Sequence, residues 1–364
     1  MGLLILLLLI IASFLRPKSG IITALGMVFM WILFWLPQYP GDLTTYEKLY
    51  NFGSVAALEP GYGMLVKSCL ILGISFSGFR IVLGTIYVGL LYRATRRLTE
   101  YTAVIMALCC LFPMSVFCSV LRSGLACVLA LNGIVLLSSR KWRDMAAFVV
   151  WVLLAASVHR SSMVLLLFLC LRRKIKSYLI IVLMMCSVVF AILLNYTDII
   201  QNFIVAIVGG AGLDHFTSSE TRANFTGMVA EIIVLLSMVI YTKIACLENE
   251  KLLVSGAITQ ERADQAELAF NISVVWFLML PLMVMANPFM RFVYMTFPMM
   301  IAVFSNTVYS EASCNKSICK RVGVFPVAGF LSLAITILLT LFFEAPYLAQ
   351  GQSILKQLIQ LSVF

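Results

Sequence analysis

Three strongly polar residues, Arg122, His159 and Arg291, interrupt a chain that is otherwise almost continuously apolar. Each lies at the end or at a break of an apolar block, close to Pro, Asn or Ser. An ionisable group at membrane depth is costly unless it faces protein, water or a charged ligand. Arginine can pair with phosphate through two N–H groups, and neutral histidine can accept a proton near physiological pH. The three residues would therefore form a site for an anionic substrate if the fold gathers them on one side of a membrane.

Carboxylates and tyrosines are concentrated in the segment that follows the second apolar block. Asp42 fits a helix cap, and Tyr46 and Tyr50 follow it at helical spacing. The Glu59-Pro60-Gly61-Tyr62 stretch predicts a turn that leads into the next helix. An interfacial helix with aromatic anchors would explain the same residues without any chemistry.

The arginines and the histidine have structural explanations too. An arginine at the end of a span is often an anchor that reaches the headgroups, and a single histidine is more often structural than catalytic. Arg122, however, precedes the helix start at Ser123, where a cation is unfavourable unless an anion offsets it. His159 is flanked by Arg160 and several serines at a predicted helix break, which favours a site.

Composition identifies the chain as a membrane protein. Hydrophobic residues make up 62% of the 364 positions, charged residues make up 12%, and the mean hydropathy is +1.03. These values exclude both a soluble globular protein and a disordered one. The ten cysteines show no metal-ligand spacing and are interpreted as small buried hydrophobes. The sequence therefore predicts neither a metal site nor a cofactor, and it contains no phosphate-binding glycine loop.

The distribution of Lys and Arg predicts the orientation of the chain, because basic loops mark the cytoplasmic side. The net charge of +10 is therefore an orientation signal and does not indicate nucleic-acid binding. The predicted outer loops lie at about 37–60 and 195–225. The predicted cytoplasmic loops are at about 93–100, 138–144, 172–177, 244–268 and 309–323. This topology brings all the candidate polar residues to the outer face.

The predicted fold is a single all-α integral membrane domain over residues 1–364, with about 10–12 transmembrane helices that include short or re-entrant segments. Residues 145–171 are too few for two full spans and predict a short hairpin or broken helix with His159 near its tip. Residues 61–92 divide into two apolar blocks at 75–80, and one block is predicted to be partial. Half-crossing backbone is tolerated only beside protein or a water-filled cavity, so both stretches predict an enclosed polar cavity.

A set of short motifs recurs in the order and spacing of a known family. The motifs are Asp42…Tyr46…Tyr50, Glu59-Pro60-Gly61-Tyr62, Arg122-Ser123-Gly124-Leu125-Ala126, Ala156 to Ser162, and Arg291-Phe292-Val293-Tyr294. Together they resemble the EpsG-like family of bacterial polysaccharide polymerases, the Wzy-type repeat-unit polymerases. The resemblance covers residues 40 to 300, and Ser123 departs from the glutamine that the family commonly has there.

This resemblance implies a glycosyltransferase of GT-C-like architecture in the bacterial inner membrane, with an active site that faces the periplasm or exterior. Such enzymes transfer a growing glycan from undecaprenyl diphosphate onto a lipid-linked repeat unit, and they thereby build O-antigen of lipopolysaccharide, capsule or exopolysaccharide. The implied partners are undecaprenyl-diphosphate-linked glycans and the lipid bilayer, with a flippase and a chain-length regulator of the same pathway. Neither a cofactor nor a nucleic acid is expected.

The implied chemistry assigns roles to the candidate residues. The acceptor hydroxyl requires a general base, for which His159, Asp42 and Glu59 are the alternatives. The diphosphate requires cationic groups. The predicted diphosphate- and substrate-binding residues are Arg122, Arg291, Tyr46, Tyr62 and Arg160. The absence of a metal-ligand pattern favours a metal-independent reaction.

Three other functions share many of these features. A flippase or transporter of lipid-linked sugars also has many spans, although such proteins often consist of two related halves and no repeat is visible here. An O-antigen ligase type of glycosyltransferase uses the same lipid donor and similar chemistry. A non-catalytic assembly subunit would leave the convergence of the polar residues unexplained.

The predicted orientation can be tested by labelling single cysteines from outside the cell in a cysteine-free background. Positions within 43–58 and 213–222 should be modified, because they lie in predicted outer loops. Positions within 93–97 and 316–321 should stay protected, because they belong to basic cytoplasmic segments. Labelling of positions 93–97 and 316–321 from outside would contradict the prediction that the polar residues converge on the outer face.

Overall fold

The computed structural model describes residues 2–35, 42–53, 58–139, 141–172, 177–196, 225–285 and 289–313. These residues form helices and contain no strand, which confirms the predicted all-α fold. The helices are α1 (Gly2–Leu15), α2 (Gly20–Trp35), α3 (Asp42–Asn51), α4 (Pro60–Ile71), α5 (Phe76–Leu98), α6 (Thr102–Leu111), α7 (Met114–Phe117), α8 (Leu121–Ile134), α9 (Trp142–Val158), α10 (Ser177–Tyr196), α11 (Phe225–Val254), α12 (Gln260–Leu278), α13 (Leu280–Met285), α14 (Met290–Tyr294) and α15 (Phe297–Ser313). Two 3₁₀ segments, Val135–Ser139 and Arg160–Arg172, follow α8 and α9.

Several of these helices have the length and composition of membrane spans. Among the described residues, Leu121–Ser139, Gly227–Val254 and Met290–Ser310 are long and apolar enough to cross a bilayer. Shorter apolar helices are present as well, including α1, α2, α6 and α10. Large apolar side chains on α1, α2 and α10 are exposed, as is expected for surfaces that face lipid. The chain is therefore a polytopic helical membrane protein with several short segments.

Both stretches that were predicted to be broken are broken in the structure, but the first break lies at residues 72–75 and residues 76–80 belong to α5. A turn that includes Gly73, whose φ of +67° favours glycine, separates α4 from α5. The 12 residues of α4 span only about 18 Å, which is less than the hydrocarbon core of a bilayer. Helix α9 ends at Val158, His159 is extended, and the 3₁₀ segment begins at Arg160. The predicted break at His159 is thus confirmed.

Much of the predicted 244–268 cytoplasmic loop is helical, since α11 continues to Val254 and α12 begins at Gln260. The 93–98 part of another predicted loop belongs to α5. The predicted outer loop at 195–225 lies almost wholly outside the described residues. The predicted loop at 309–323 is described only as far as Ser313, where α15 ends.

Buried hydrogen bonds tie the basic end of α5 to α12 and α15. The Asn306 side-chain amide donates to the Leu98 carbonyl at 3.0 Å, and the Thr99 hydroxyl donates to the Asn306 amide oxygen at 2.6 Å. The Gln265 amide donates to the Arg97 carbonyl at 3.1 Å. These contacts satisfy carbonyls that the end of a helix leaves without partners. They fix α5 at the end that carries Arg96 and Arg97 in its last turn.

Aromatic rings join α3 and α4 to the opposite end of α5. The ring centroid of Phe79 lies 5.0 Å from that of Tyr50 and 5.8 Å from that of Tyr62. The Tyr50 hydroxyl also donates to the Ile74 carbonyl at 2.7 Å, in the turn between α4 and α5. Because the 23 residues of α5 extend about 34 Å, this aromatic cluster and the basic end of α5 are separated by most of a bilayer.

Gly61 allows the first turn of α4 to approach the end of α9. A Cβ atom at position 61 would lie 2.3 Å from the Ser157 Oγ and 3.0 Å from the Ser157 Cβ. No side chain other than hydrogen fits at this distance without displacing one of the two helices. Gly61 therefore sets the separation of Glu59, which precedes α4, from His159, which follows α9.

We expect Gly61→Ala to destabilise the protein by about 1–3 kcal/mol, because the added methyl overpacks the α4–α9 contact. Gly89→Ala is a matched control, since a Cβ at this position in α5 meets no atom within 4 Å. Thermal unfolding of the purified variants in detergent would measure the difference. An unfolding midpoint of Gly61→Ala equal to that of Gly89→Ala would contradict the close approach.

Candidate functional site

The carboxylate of Glu59 occupies the centre of a polar cluster formed by α3, α4, α8 and α9. Glu59 is the residue before Pro60, the first residue of α4, and its backbone is extended with φ −61° and ψ 146°. Its carbonyl accepts the first bond of the helix, from the Gly63 N–H at 2.8 Å, but its side chain does not cap the helix. The carboxylate therefore projects to other parts of the chain, and only 12% of the side chain is exposed.

Arg122 lies on one side of this carboxylate. Its Nη1 donates to the Glu59 Oε2 at 2.7 Å, a charge-assisted hydrogen bond. Its guanidinium carbon lies 5.4 Å from the centre of the Tyr46 ring, within the range of a cation–π contact. In the structure, Arg122 is the second residue of α8. A cation is unfavourable at the start of a helix, and the negative charge of Glu59 offsets this effect.

His159 lies on the other side of the same carboxylate. Its Nδ1 is 3.4 Å from the Glu59 Oε1, which makes this a charge contact rather than an aligned hydrogen bond. Its ring stacks on Phe292 of α14 with the centroids 5.9 Å apart and the planes 19° apart. The helix break thus presents the imidazole edge to Glu59 and its face to Phe292.

Opposing effects determine the ionisation of Glu59. Burial alone would raise the pKa of its carboxyl, because the charged form loses hydration. The contacts with His159, its own backbone and Arg122 outweigh burial and lower the pKa to about 2. Glu59 is therefore ionised at physiological pH and is a weak proton acceptor, which suits a group that orients its neighbours.

Besides the His159 Nδ1, two polar groups beside Glu59 are buried and have no hydrogen-bond partner within the described part of the chain. They are the Nε of Arg122 and the hydroxyl of Tyr62. The Tyr62 ring packs 6.2 Å from the Tyr46 ring, and the residue is 2% exposed. An unsatisfied buried donor costs about 1–3 kcal/mol. Two such donors beside one carboxylate are the features expected of a site that receives oxygen atoms from a ligand or from water.

The structure brings together five of the predicted site residues: Glu59, Arg122, His159, Tyr46 and Tyr62. Arg291 lies next to this group, because the following residue, Phe292, stacks on His159. Its carbonyl accepts a hydrogen bond from the Cys127 thiol at 3.5 Å. Arg160 directly follows His159 and is exposed. Asp42 begins α3, and its side chain lies outside the described residues.

The sequence did not predict that three further residues shape the site: Phe292, Gly61 and Ser157. Each occurs within a predicted motif, but none of these residue types suggests the contact and only the packing reveals it. Among the described residues, no three His, Cys, Asp or Glu side chains gather as metal ligands would. Metal independence therefore stays a prediction from the sequence.

The fold and the site define a class: a polytopic helical membrane protein with a partly buried cluster of Arg, His, Glu and Tyr at one end of its bundle. A model of the EpsG family matches residues 20–349, which is most of the chain. The chain belongs to the EpsG family and is a membrane protein of polysaccharide biosynthesis. No curated protein and no solved structure matches it.

Proposed function

We propose that this protein joins undecaprenyl-diphosphate-linked oligosaccharide repeat units into surface polysaccharide at the outer face of the bacterial inner membrane. The observation that carries this proposal is the cluster in which one carboxylate contacts both an arginine and a histidine. Its buried donors on Arg122 and Tyr62 are suited to oxygen atoms of a phosphate or a sugar. Membership of the EpsG family also supports a function in polysaccharide biosynthesis.

Arg122 is suited to the leaving group of this reaction. As the glycosidic bond forms, the bond between the anomeric carbon and the diphosphate oxygen breaks, and the lipid diphosphate retains the electron pair. A guanidinium stabilises this charge through paired N–H donors. Arg122 uses Nη1 for Glu59, and its Nε remains without a partner among the described residues. Arg160 directly follows His159 in the chain, and Arg291 directly precedes Phe292, which stacks on His159.

His159 is suited to the acceptor side of the reaction. Its Nδ1 faces the ionised Glu59, which favours the tautomer that carries its proton on Nδ1. The Nε2 lone pair is then the proton acceptor for the sugar hydroxyl that attacks the anomeric carbon. Glu59 plays the orienting part that a carboxylate plays beside other catalytic histidines. Asp42 remains the alternative base proposed from the sequence.

The charge distribution supports an outward-facing site. The last turn of α5 carries Arg96 and Arg97, whereas Phe79 near its other end packs on Tyr62 beside the polar cluster. Basic residues concentrate on the cytoplasmic side of membrane proteins. The polar cluster then faces the side to which lipid-linked repeat units are delivered for polymerisation.

Deletion of the gene followed by gel analysis of the surface glycan tests this function. Loss of a repeat-unit polymerase should leave glycan with a single repeat unit. Loss of a flippase would leave none, and loss of a ligase would leave polymer that is not joined to its final acceptor. Either of these two patterns would contradict the proposal.

The arginine hypothesis predicts that Arg122→Lys and Arg291→Lys shorten the polymer nearly as severely as the Ala variants. Lysine keeps the charge but lacks the planar fork that pairs with two phosphate oxygens. Arg143→Lys is a matched control, because Arg143 is exposed in the first turn of α9. Full polymer length in both Lys variants at normal expression would show that the arginines are only membrane anchors.

The histidine hypothesis predicts that His159→Ala abolishes polymer while folding and lipid-substrate binding remain. His159→Gln separates two roles, since glutamine forms hydrogen bonds but is not a useful base. Loss of polymer in both variants supports proton transfer, whereas activity in the Gln variant supports positioning of the hydroxyl. Long polymer in His159→Ala would make His159 structural and would pass the role of base to Asp42.

A further inference from the structure

Glu231 is a buried carboxylic acid inside a membrane-spanning helix. It lies in the second turn of α11, within the apolar span Gly227–Val254, and only 3% of the residue is exposed. Its Oε2 is buried and has no hydrogen-bond partner among the described residues. No step of the proposed reaction uses it. Because an unsatisfied carboxyl is unfavourable at membrane depth, such a residue is expected to meet a ligand or a polar pathway.

The face of α11 that carries Glu231 also lines a pocket. Val234 and Met238 follow Glu231 by three and seven residues, so the three residues share one face of the helix. Val234 and Met238 line the pocket together with Val293 and Tyr294 of α14. Side chains on a helix lean toward its N-terminus. Glu231 therefore lies toward the end of the pocket that is nearer to the start of α11.

The pocket is narrow and mainly apolar. Phe112 and Phe297 form part of its wall with Tyr294, and the Phe112 ring centroid lies 4.9 Å from that of Tyr294 and 5.0 Å from that of Phe297. The free volume of about 10 Å³ admits one water-sized group, such as a hydroxyl. An apolar pocket with a single polar group nearby is suited to fixing one small polar part of a larger ligand.

Helix α14 connects this pocket to the polar cluster. Phe292 stacks on His159, and the next two residues, Val293 and Tyr294, line the pocket. Consecutive residues of a helix point in different directions, so the two contacts lie on different sides of α14. Their separation is then close to one helix diameter, about 10 Å. An oligosaccharide that presents one sugar to His159 can therefore reach the pocket with another sugar.

We propose that Glu231 accepts a hydrogen bond from a hydroxyl of the acceptor repeat unit, on a sugar other than the one that reacts. This inference rests on the proposed function and adds a specificity-determining residue to it. The pocket adjoins Phe292, which stacks on the histidine assigned to the acceptor hydroxyl, and this favours the acceptor over the donor. A buried acceptor that a ligand leaves unpaired discriminates strongly against that ligand.

The inference is tested by measuring the binding of two probes to the purified full-length protein in detergent. The probes are the repeat-unit oligosaccharide, released from its lipid by mild acid, and inorganic pyrophosphate. Glu231→Met removes the acceptor oxygens at similar side-chain length. We expect it to weaken oligosaccharide binding about tenfold or more and to leave pyrophosphate binding within about threefold. Oligosaccharide binding within threefold of the wild type would overturn the inference.

Two further variants give this measurement its controls. Glu250→Met is the matched control, because Glu250 is exposed on the same helix, and it should bind both probes as the wild type does. Glu231→Gln keeps one acceptor oxygen and should bind the oligosaccharide more tightly than Glu231→Met. If Glu231→Gln binds as weakly as Glu231→Met, Glu231 does not act as a hydrogen-bond acceptor for the sugar.

Unfolding without ligand distinguishes a binding residue from a structural one. We expect the unfolding midpoint of Glu231→Met to equal or exceed that of the wild type, because the substitution removes a buried polar group that lacks a partner in the described structure. A lower midpoint would show that the carboxyl has a structural partner, and this result would overturn the inference.

Polymerisation kinetics identify the substrate that Glu231 contacts, with lipid-linked polymer as donor and single lipid-linked repeat units as acceptor. We expect Glu231→Met to lower kcat/KM about tenfold when the acceptor is varied and less than threefold when the donor is varied. A loss confined to the donor would overturn the assignment to the acceptor. Equal oligosaccharide binding by wild type and Glu231→Met contradicts this inference alone. Absence of oligosaccharide binding by the wild type contradicts the inference and the proposed function together.

Discussion

The bridge that the Glu59 carboxylate makes between Arg122 and His159 is the interaction on which the rest of the site depends. Glu59 precedes α4, Arg122 is the second residue of α8 and His159 follows α9, so one side chain connects three separate segments. Burial opposes the charge on Glu59, and its two partners favour it strongly enough to lower its pKa to about 2. Glu59 is therefore ionised at physiological pH, and in the proposed function the role of proton acceptor belongs to the histidine.

The short and broken helices have a function within this arrangement. An unbroken α9 would continue through the region where Glu59 and His159 meet. The start of α4 at Pro60 and the end of α9 at Val158 leave these two polar residues outside the helices, where other protein segments partly cover them. Packing then fixes the positions of Glu59 and His159 without additional charged groups. The contacts are the close approach of Gly61 to Ser157 and the stacking of Phe292 on His159.

Much of this architecture could be predicted from the sequence, because it follows from local patterns. The apolar blocks predicted the helices, the break at His159 followed from the length of 145–171, and the basic loops predicted that the polar groups share one side. Glu59 was expected only as an alternative base, because its position between Arg122 and His159 depends on how α4, α8 and α9 pack. The stacking of Phe292 on His159 was hidden for the same reason, since hydropathy gives the depth of a residue but not its lateral neighbours.

The most direct measurement of the central claim is polymerisation by the purified protein in liposomes that contain only lipid-linked repeat units. The wild type should form oligomers of two or more units and release undecaprenyl diphosphate. Glu59→Gln keeps the size of the side chain but removes the charge that holds Arg122 and His159, so it should form almost no oligomer although it folds. Oligomer formation by Glu59→Gln at the wild-type rate would contradict the account.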